Sequence, residues 1–255
     1  MKSWSLANVA GVRVHYVDRG KGPAVVLVHG FASSLETWSS MMPALEKKGF
    51  RVIALDLKGF GWTDRPEGDY SPDAEAKLIY GLLDQRGVDR FALVAHSWGS
   101  SVALAAALQQ PARVTRLSLF YSERSDEKMA MAFYDPSVIP EKLVDDVERA
   151  LGRPGAEAGA LAAVRGQHFL ELQAKYKGIK QPTLLLWGRE DVVTTLRFGE
   201  RLSHDLPNAK LVVYPLCGHF PMIESASAST ADLETFLEPE LTAAQQSPTP
   251  PDDAK

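Results

Sequence analysis

Between the apolar run FALVA (91–95) and the Ala-rich run VALAAALQQ lies the segment Ala95-His96-Ser97-Trp98-Gly99-Ser100, where a buried-strand pattern gives way to a helical one. The chain must reverse sharply there. Small Ala95 and Gly99 let strand and helix approach closely, and Ser97 is expected in a strained, exposed position with its hydroxyl presented. The opening turn of the helix offers unpaired N–H groups and the positive end of its dipole, which suit an oxyanion beside that hydroxyl. Taken alone, a serine in this place is equally an ordinary helix N-cap. A hydroxyl becomes a nucleophile when a base takes its proton and a third group orients the base. Residues of those types follow other apolar runs: Glu190 and Asp191 after TLLLW, Glu123 after VTRLSLFY, and His219 in Cys217-Gly218-His219-Phe220-Pro221 after LVVYP.

The elements that must carry these residues alternate along the chain. VRVHY, AVVLVHG and FRVIALD read as strands, with an amphipathic stretch over 35–48 between the second and third. A helix over 74–86, a strand over 90–95, a helix over 98–109 and a strand over 114–121 continue the pattern. Runs such as AVVLV, FALVA and TLLLW are apolar at consecutive positions, as in a sheet covered by helices on both faces. The expectation is an α/β fold with a doubly wound, mostly parallel sheet of about eight strands. From 122 to 179 the rhythm becomes helical, charged and Ala-rich, which reads as a helical cap inserted after the sixth strand. The core is then 1–121 and 180–238, with a strand over 183–187, a helix over 195–206, a strand over 210–214 and a last helix over 226–236. Residues 239–255, ending QQSPTPPDDAK, read as a disordered tail.

Composition narrows the function. With 255 residues, 45% hydrophobic, and a net charge of −4 spread along the chain, there is no basic footprint for nucleic acid or for an anionic membrane. No apolar run reaches membrane-spanning length and none at the start suits a secretion signal, so a cytoplasmic protein is expected. The lone Cys217 reads as a small buried neighbour and excludes a cysteine-rich zinc site. No metal or cofactor is implied; the expected partner is a small, moderately apolar molecule, and the expected assembly is a monomer or homodimer.

The H-S-W-G-S segment resembles the G-x-S-x-G nucleophile elbow of α/β-hydrolases, with Ala95 in place of the first glycine. His29-Gly30-Phe31 is similar to the family's HG-x signature, Trp187-Gly188-Arg189-Glu190-Asp191 to its G-x-x-D segment, and Gly218-His219-Phe220-Pro221 to its G-H-x-P segment. The stretch from Asp56 to Pro66 resembles a structural landmark, D-x-x-G-x-G-x-S-x-x-P, with Thr63 for serine. The likeness spans roughly 12–237, apart from the cap. It implies Ser97 as nucleophile, His219 as its base and Asp191 as the acid that orients the base, in the family order Ser, Asp, His. Glu190 is the local competitor for the acid, and Glu123 occupies another place where some members carry it. The N–H groups of Phe31 and Trp98 are implied as the oxyanion hole, with His29 bracing the loop. Trp38, Val192 and Phe220, with Phe31 and Trp98, are candidates to line an apolar pocket, although core packing explains such aromatics equally well.

These features imply a serine hydrolase, first of all a carboxylesterase-like enzyme working through an acyl-enzyme on Ser97. A hydrolase of carbon–carbon bonds in vinylogous diketones, an amide or iminopeptidase-like hydrolase and a perhydrolase can share the same triad. The segment also looks like the H-D-W-G of haloalkane dehalogenases, but serine attack on saturated carbon leaves an ether with no carbonyl for water to attack. Outside catalysis stands a ligand-binding, receptor-like protein on the same fold. Turnover of p-nitrophenyl acetate by the wild type and its loss in Ser97→Ala is the expected result; equal turnover by both refutes the assignment.

Overall fold

The computed structural model describes residues 4–120, 133–167 and 169–246. In chain order the elements are β1 (Ser5–Val9), β2 (Val12–Arg19), β3 (Ala24–Val28), α1 (Met41–Lys48), β4 (Arg51–Leu55), α2 (Pro72–Gln85), β5 (Phe91–His96), α3 (Trp98–Gln109) and β6 (Val114–Phe120). Helices α4 (Glu141–Leu151), α5 (Ala156–Arg165) and α6 (Phe169–Gln173) lie between β6 and β7 (Thr183–Gly188). They are followed by α7 (Leu196–Asp205), β8 (Ala209–Tyr214), α8 (Pro221–Glu224) and α9 (Ala226–Gln246). The strands form one 8-stranded sheet in the order β1-β2-β4-β3-β5-β6-β7-β8. Strands β3 to β8 pair in parallel, whereas β2 is antiparallel to both β1 and β4.

Alternation within the apolar strands divides the core in two. Val26, Val28, Ile53, Leu55, Leu93, Ala95, Leu185 and Trp187 face one side, with α2, α3 and Leu202 of α7. Val25, Leu27, Val52, Ala54, Ala92, Val94, Leu184 and Leu186 face the other, with α1, Met222 of α8 and the Leu233–Leu237 pair of α9. A period of two on a sheet buried on both faces produces this split. Helix α3 is buried from Trp98 to Ala107 and apolar all round, as a helix enclosed by its neighbours must be.

Three differences from the sequence reading have physical causes. Strand β1 was not anticipated: only its Val9 is buried, so an edge strand with exposed Leu6 carries almost no alternation. It is set by the Ala10–Gly11 turn, where both φ values are positive, at 49° and 85°. The stretch 35–48 is a 3-10 turn, Leu35–Trp38, and then α1, with Ser39 and Ser40 between them. Helix α9 passes through Pro239 to Gln246, beyond the tail boundary drawn at 238, because Glu240 pairs with Arg116 at 2.9 Å and Leu241 packs on the core. Tyr121, the start of the cap reading at 122–132, and 247–255 lie outside the described residues.

The Asp56–Pro66 segment ties together the strand ends that position the site. The buried carboxylate of Asp56 accepts the N–H groups of Leu35 and Trp62 and contacts His15 Nδ1, each at 2.7 Å, while Thr63 Oγ1 donates to the Asp56 carbonyl. Beside it, the N–H of Lys58 donates at 3.1 Å to Glu75, a fully buried residue of α2. Burial raises that carboxyl to about 8, against the opposing pull of the Lys58 N–H and charge. The folded protein thus holds a proton there that the unfolded chain has released above the ordinary carboxyl range. The site's contribution to stability is complete in acid and is lost as pH rises toward about 8. Glu75→Gln should therefore gain on the wild type as pH rises, by up to about 1.4 kcal/mol per unit. Urea unfolding at pH 5.5 and 8 reads this; a difference independent of pH contradicts it.

Candidate active site

Strand β5 enters Ser97 directly and α3 leaves it. Ser97 has φ 53° and ψ −126°, a left-handed conformation that a non-glycine residue holds at a cost of roughly 1–3 kcal/mol. Its N–H donates to the Phe120 carbonyl at 2.6 Å, pinning the turn to the end of β6. Two glycines make the turn possible. A β-carbon on Gly99 would collide with the His29 carbonyl oxygen, and one on Gly30 would lie 2.8 Å from both His96 Nδ1 and the Ser97 β-carbon. Ser97 is only 4% exposed, a correction to the exposed serine expected from sequence. Its neighbours are the reason: His96 and Trp98 are themselves buried in ring clusters on either side of the turn.

Because β5, β7 and β8 run parallel, the loops that follow them gather at one sheet edge. There Asp191 Oδ2 lies 3.0 Å from His219 Nδ1, with both residues 5% exposed. Asp191 Oδ1 accepts the N–H groups of Val193 and Thr194 at 2.9 Å, and Oδ2 accepts Thr194 Oγ1 at 3.1 Å. With those donors on its oxygens, Asp191 accepts from His219 Nδ1, and Nε2 is left to face other groups. The histidine loop is tied to the elbow as well: His96 Nε2 donates to the His219 carbonyl at 3.1 Å, with ring centroids 4.9 Å apart. Burial, reinforced by the nearby charge of His219, holds His96 well below the ordinary histidine range and keeps it neutral. Sequence reasoning missed that brace, although His96 adjoins Ser97.

The competing carboxylate has another partner. Glu190 Oε2 accepts the N–H of Cys217 at 3.0 Å and so braces the loop instead of the imidazole. Glu123 lies outside the described residues. Burial pushes the Cys217 thiol up to about 12, so it stays protonated and unreactive. His29 is likewise a brace: Nε2 accepts the Leu57 N–H at 3.0 Å and Nδ1 donates to the Gly30 carbonyl at 2.6 Å, while burial lowers its pKa.

Phe31 follows Gly30, whose backbone abuts Ser97, and Trp98 is the first residue of α3 and has no carbonyl one turn back in the helix to bond. Their rings meet through Phe60, at centroid distances of 5.4 Å and 5.7 Å. Phe220 sits at the site, 4.7 Å from His96 and 5.2 Å from His219. One pocket expectation fails: Trp38 is fully buried in the core against Phe120, because the helical turn carrying it packs under the sheet. Val192 is 64% exposed, whereas Asp191 and Thr194 of the same loop are buried. Phe60 and Phe133 join the rings beside the site; Phe60 lies in the Asp56–Pro66 landmark that the sequence singled out, and Phe133 is stacked on Phe220 at 4.5 Å. A cavity of about 520 Å³ lies elsewhere, between α4 and the β1–β2 hairpin, walled by Trp4, Trp62, Arg13, Arg149 and Arg153 and not by Ser97, Asp191 or His219.

Comparison with known proteins agrees with this architecture. A family described as alpha/beta hydrolase fold matches residues 23–138, and one described as TAP-like protein matches 164–247. The chain is 32% identical over 259 residues to 2-hydroxy-6-oxo-2,4-heptadienoate hydrolase of Pseudomonas putida, across 89% of this chain and 93% of the relative. It is 29% identical to 2-hydroxymuconate semialdehyde hydrolase of a Pseudomonas species, across 89% and 91%. A solved meta-cleavage product hydrolase from Pseudomonas fluorescens superposes with a TM-score of 0.81 at 28% identity, covering 92% of this chain and 97% of that one. Among the described residues, no helix is long and apolar enough to cross a membrane.

The contacts of the two acids generate a test. Asp191→Asn should lower hydrolysis of an activated ester by about 10³- to 10⁴-fold through the wrong imidazole tautomer. Glu190→Gln, which keeps a carbonyl acceptor for Cys217, should remain within about tenfold of the wild type; steady-state kinetics with the reverse order would make Glu190 the acid.

Proposed function

The chain belongs to the α/β-hydrolase superfamily, and from that membership we propose a serine hydrolase that cleaves the bond beside a substrate carbonyl through an acyl-enzyme on Ser97. The observation that carries the reading is the 3.0 Å contact between Asp191 and His219, in a loop tied to the strained elbow at Ser97. As the Ser97 hydroxyl attacks the carbonyl carbon, His219 Nε2 takes its proton and Asp191 stabilises the imidazolium. The oxyanion forms against the N–H groups of Phe31 and Trp98, and collapse expels the leaving group with the proton from His219. Water, deprotonated by the same nitrogen, then releases the acid. Strain held at Ser97 supports a functional turn there over an ordinary helix N-cap.

For the bond cleaved, we favour a carbon–carbon bond in a 2-hydroxy-6-oxo-dienoate. Relatives named for hydrolysing such compounds match along nearly their whole length, which supports the assignment. A carbon leaving group departs only when its electron pair is delocalised. The dienol must therefore reach its keto form, so that cleavage releases an enolate that His219 reprotonates. A small neutral ester is the second reading, favoured by the aromatic wall of Phe31, Phe60, Trp98, Phe133 and Phe220. The two separate in one assay. Loss of dienolate absorbance from 2-hydroxy-6-oxohepta-2,4-dienoate should proceed with kcat/KM at least about tenfold above that for p-nitrophenyl acetate or butyrate; the opposite ratio makes the protein an esterase.

A further inference from the structure

The loop carrying His219 is held by a carboxylate with no part in the proposed chemistry. Glu224, the last residue of α8, accepts the N–H of Gly218 at 3.1 Å on both oxygens and that of Phe220 at 3.1 Å on Oε1. Its Oε2 also accepts the N–H of Tyr134 at 2.7 Å, from the segment that leads into α4. One side chain thus closes on the residues either side of His219 and on a backbone group far away in sequence. A second contact joins the same two segments. Phe133, 5% exposed, stacks on Phe220 at 4.5 Å and 11° between ring planes, and Phe220 in turn lies against the rings of His96 and His219.

We propose, on the reading of His219 as the base, that Glu224 is a positioning residue that makes the imidazole's placement depend on the seating of the helical insertion. A charged acceptor strengthens the hydrogen bonds made to it, so a single carboxylate with three N–H donors fixes their relative positions. Displacement of 133–134 removes the Tyr134 donor and the Phe133 stack together, leaving the histidine loop with less to hold it. A base must be placed within a fraction of an ångström, and a misplacement of about 1 Å costs about a hundredfold. Glu224 makes its contacts with backbone N–H groups of the loop, so its loss should fall on kcat and leave KM little changed.

The test is a double-mutant cycle on Phe133→Ala and Glu224→Ala, with Glu224→Gln as the conservative variant and circular dichroism to verify folding. The expected result is a fall in kcat of roughly 10- to 100-fold in Glu224→Ala with KM within threefold, a smaller fall in Phe133→Ala, and partial rescue in Glu224→Gln. The double variant should lose less than the product of the two single losses, since both substitutions act on the junction between the same two segments. If Glu224→Ala does not fold, Phe133→Ala and Glu224→Gln carry the comparison. Multiplicative losses, or a change confined to KM, overturn the proposal. Labelling by a fluorophosphonate probe separates the two levels: unlabelled wild type removes the serine-hydrolase reading and this proposal with it, whereas equal labelling rates in wild type and Glu224→Ala remove the proposal alone.

Discussion

The molecule is organised around a steric constraint at one point, the reversal from β5 into α3. Ser97 sits at φ 53° where the chain at 29–30 presses on that at 96–99, an approach that requires Gly30 and Gly99, since a β-carbon at either would meet His96 and Ser97 or the His29 carbonyl. The strain is sustained by the buried strand before it and the buried helix after it, neither of which can move without opening the core. The same close approach brings the Gly30–Phe31 backbone and the start of α3 to the serine, so one packing arrangement sets both the hydroxyl and the amides beside it. A larger residue at either glycine would disturb all of these together.

The electrostatic side is built differently, from fixed donors around a loop. The backbone N–H groups of Cys217, Gly218 and Phe220 go to Glu190 and Glu224, the His219 carbonyl to His96, and the imidazole to Asp191. The acids have separate tasks: Asp191, carrying three further donors, orients the ring, while Glu190 and Glu224 position the backbone. His96 fills its place as a neutral donor because burial denies it a charge. On the proposed mechanism, a second imidazolium next to His219 would oppose the charge that the base develops.

What the sequence revealed and what it withheld follow from how local each signal is. The elbow, the glycine of the histidine loop and the order of Ser97, Asp191 and His219 are written in short contiguous segments, each at the end of an apolar strand. The same holds for β3, β5 and β7, whose unbroken apolar runs need no partner to be recognised. The G-x-x-D pattern favours Asp191 over Glu190, but the separate partners of the two depend on which way the turn points them, which no local pattern carries. Trp38 looked like a pocket residue for a similar reason, since an aromatic ring reads alike in a core and in a binding wall. Strand β1 and the far end of α9 depend on few side-chain contacts, Val9 in one case and Arg116 with Glu240 and Leu241 in the other, that leave no periodic trace.

The central claim is that the Ser97 hydroxyl is made nucleophilic by His219. It is tested most directly by quenching a reaction with a slowly deacylating ester and locating the trapped acyl group by peptide mass mapping. The account predicts one acyl group on Ser97 in the wild type and none within the same time in His219→Ala. An acyl group on another residue, or equal acylation of Ser97 without the histidine, would contradict it.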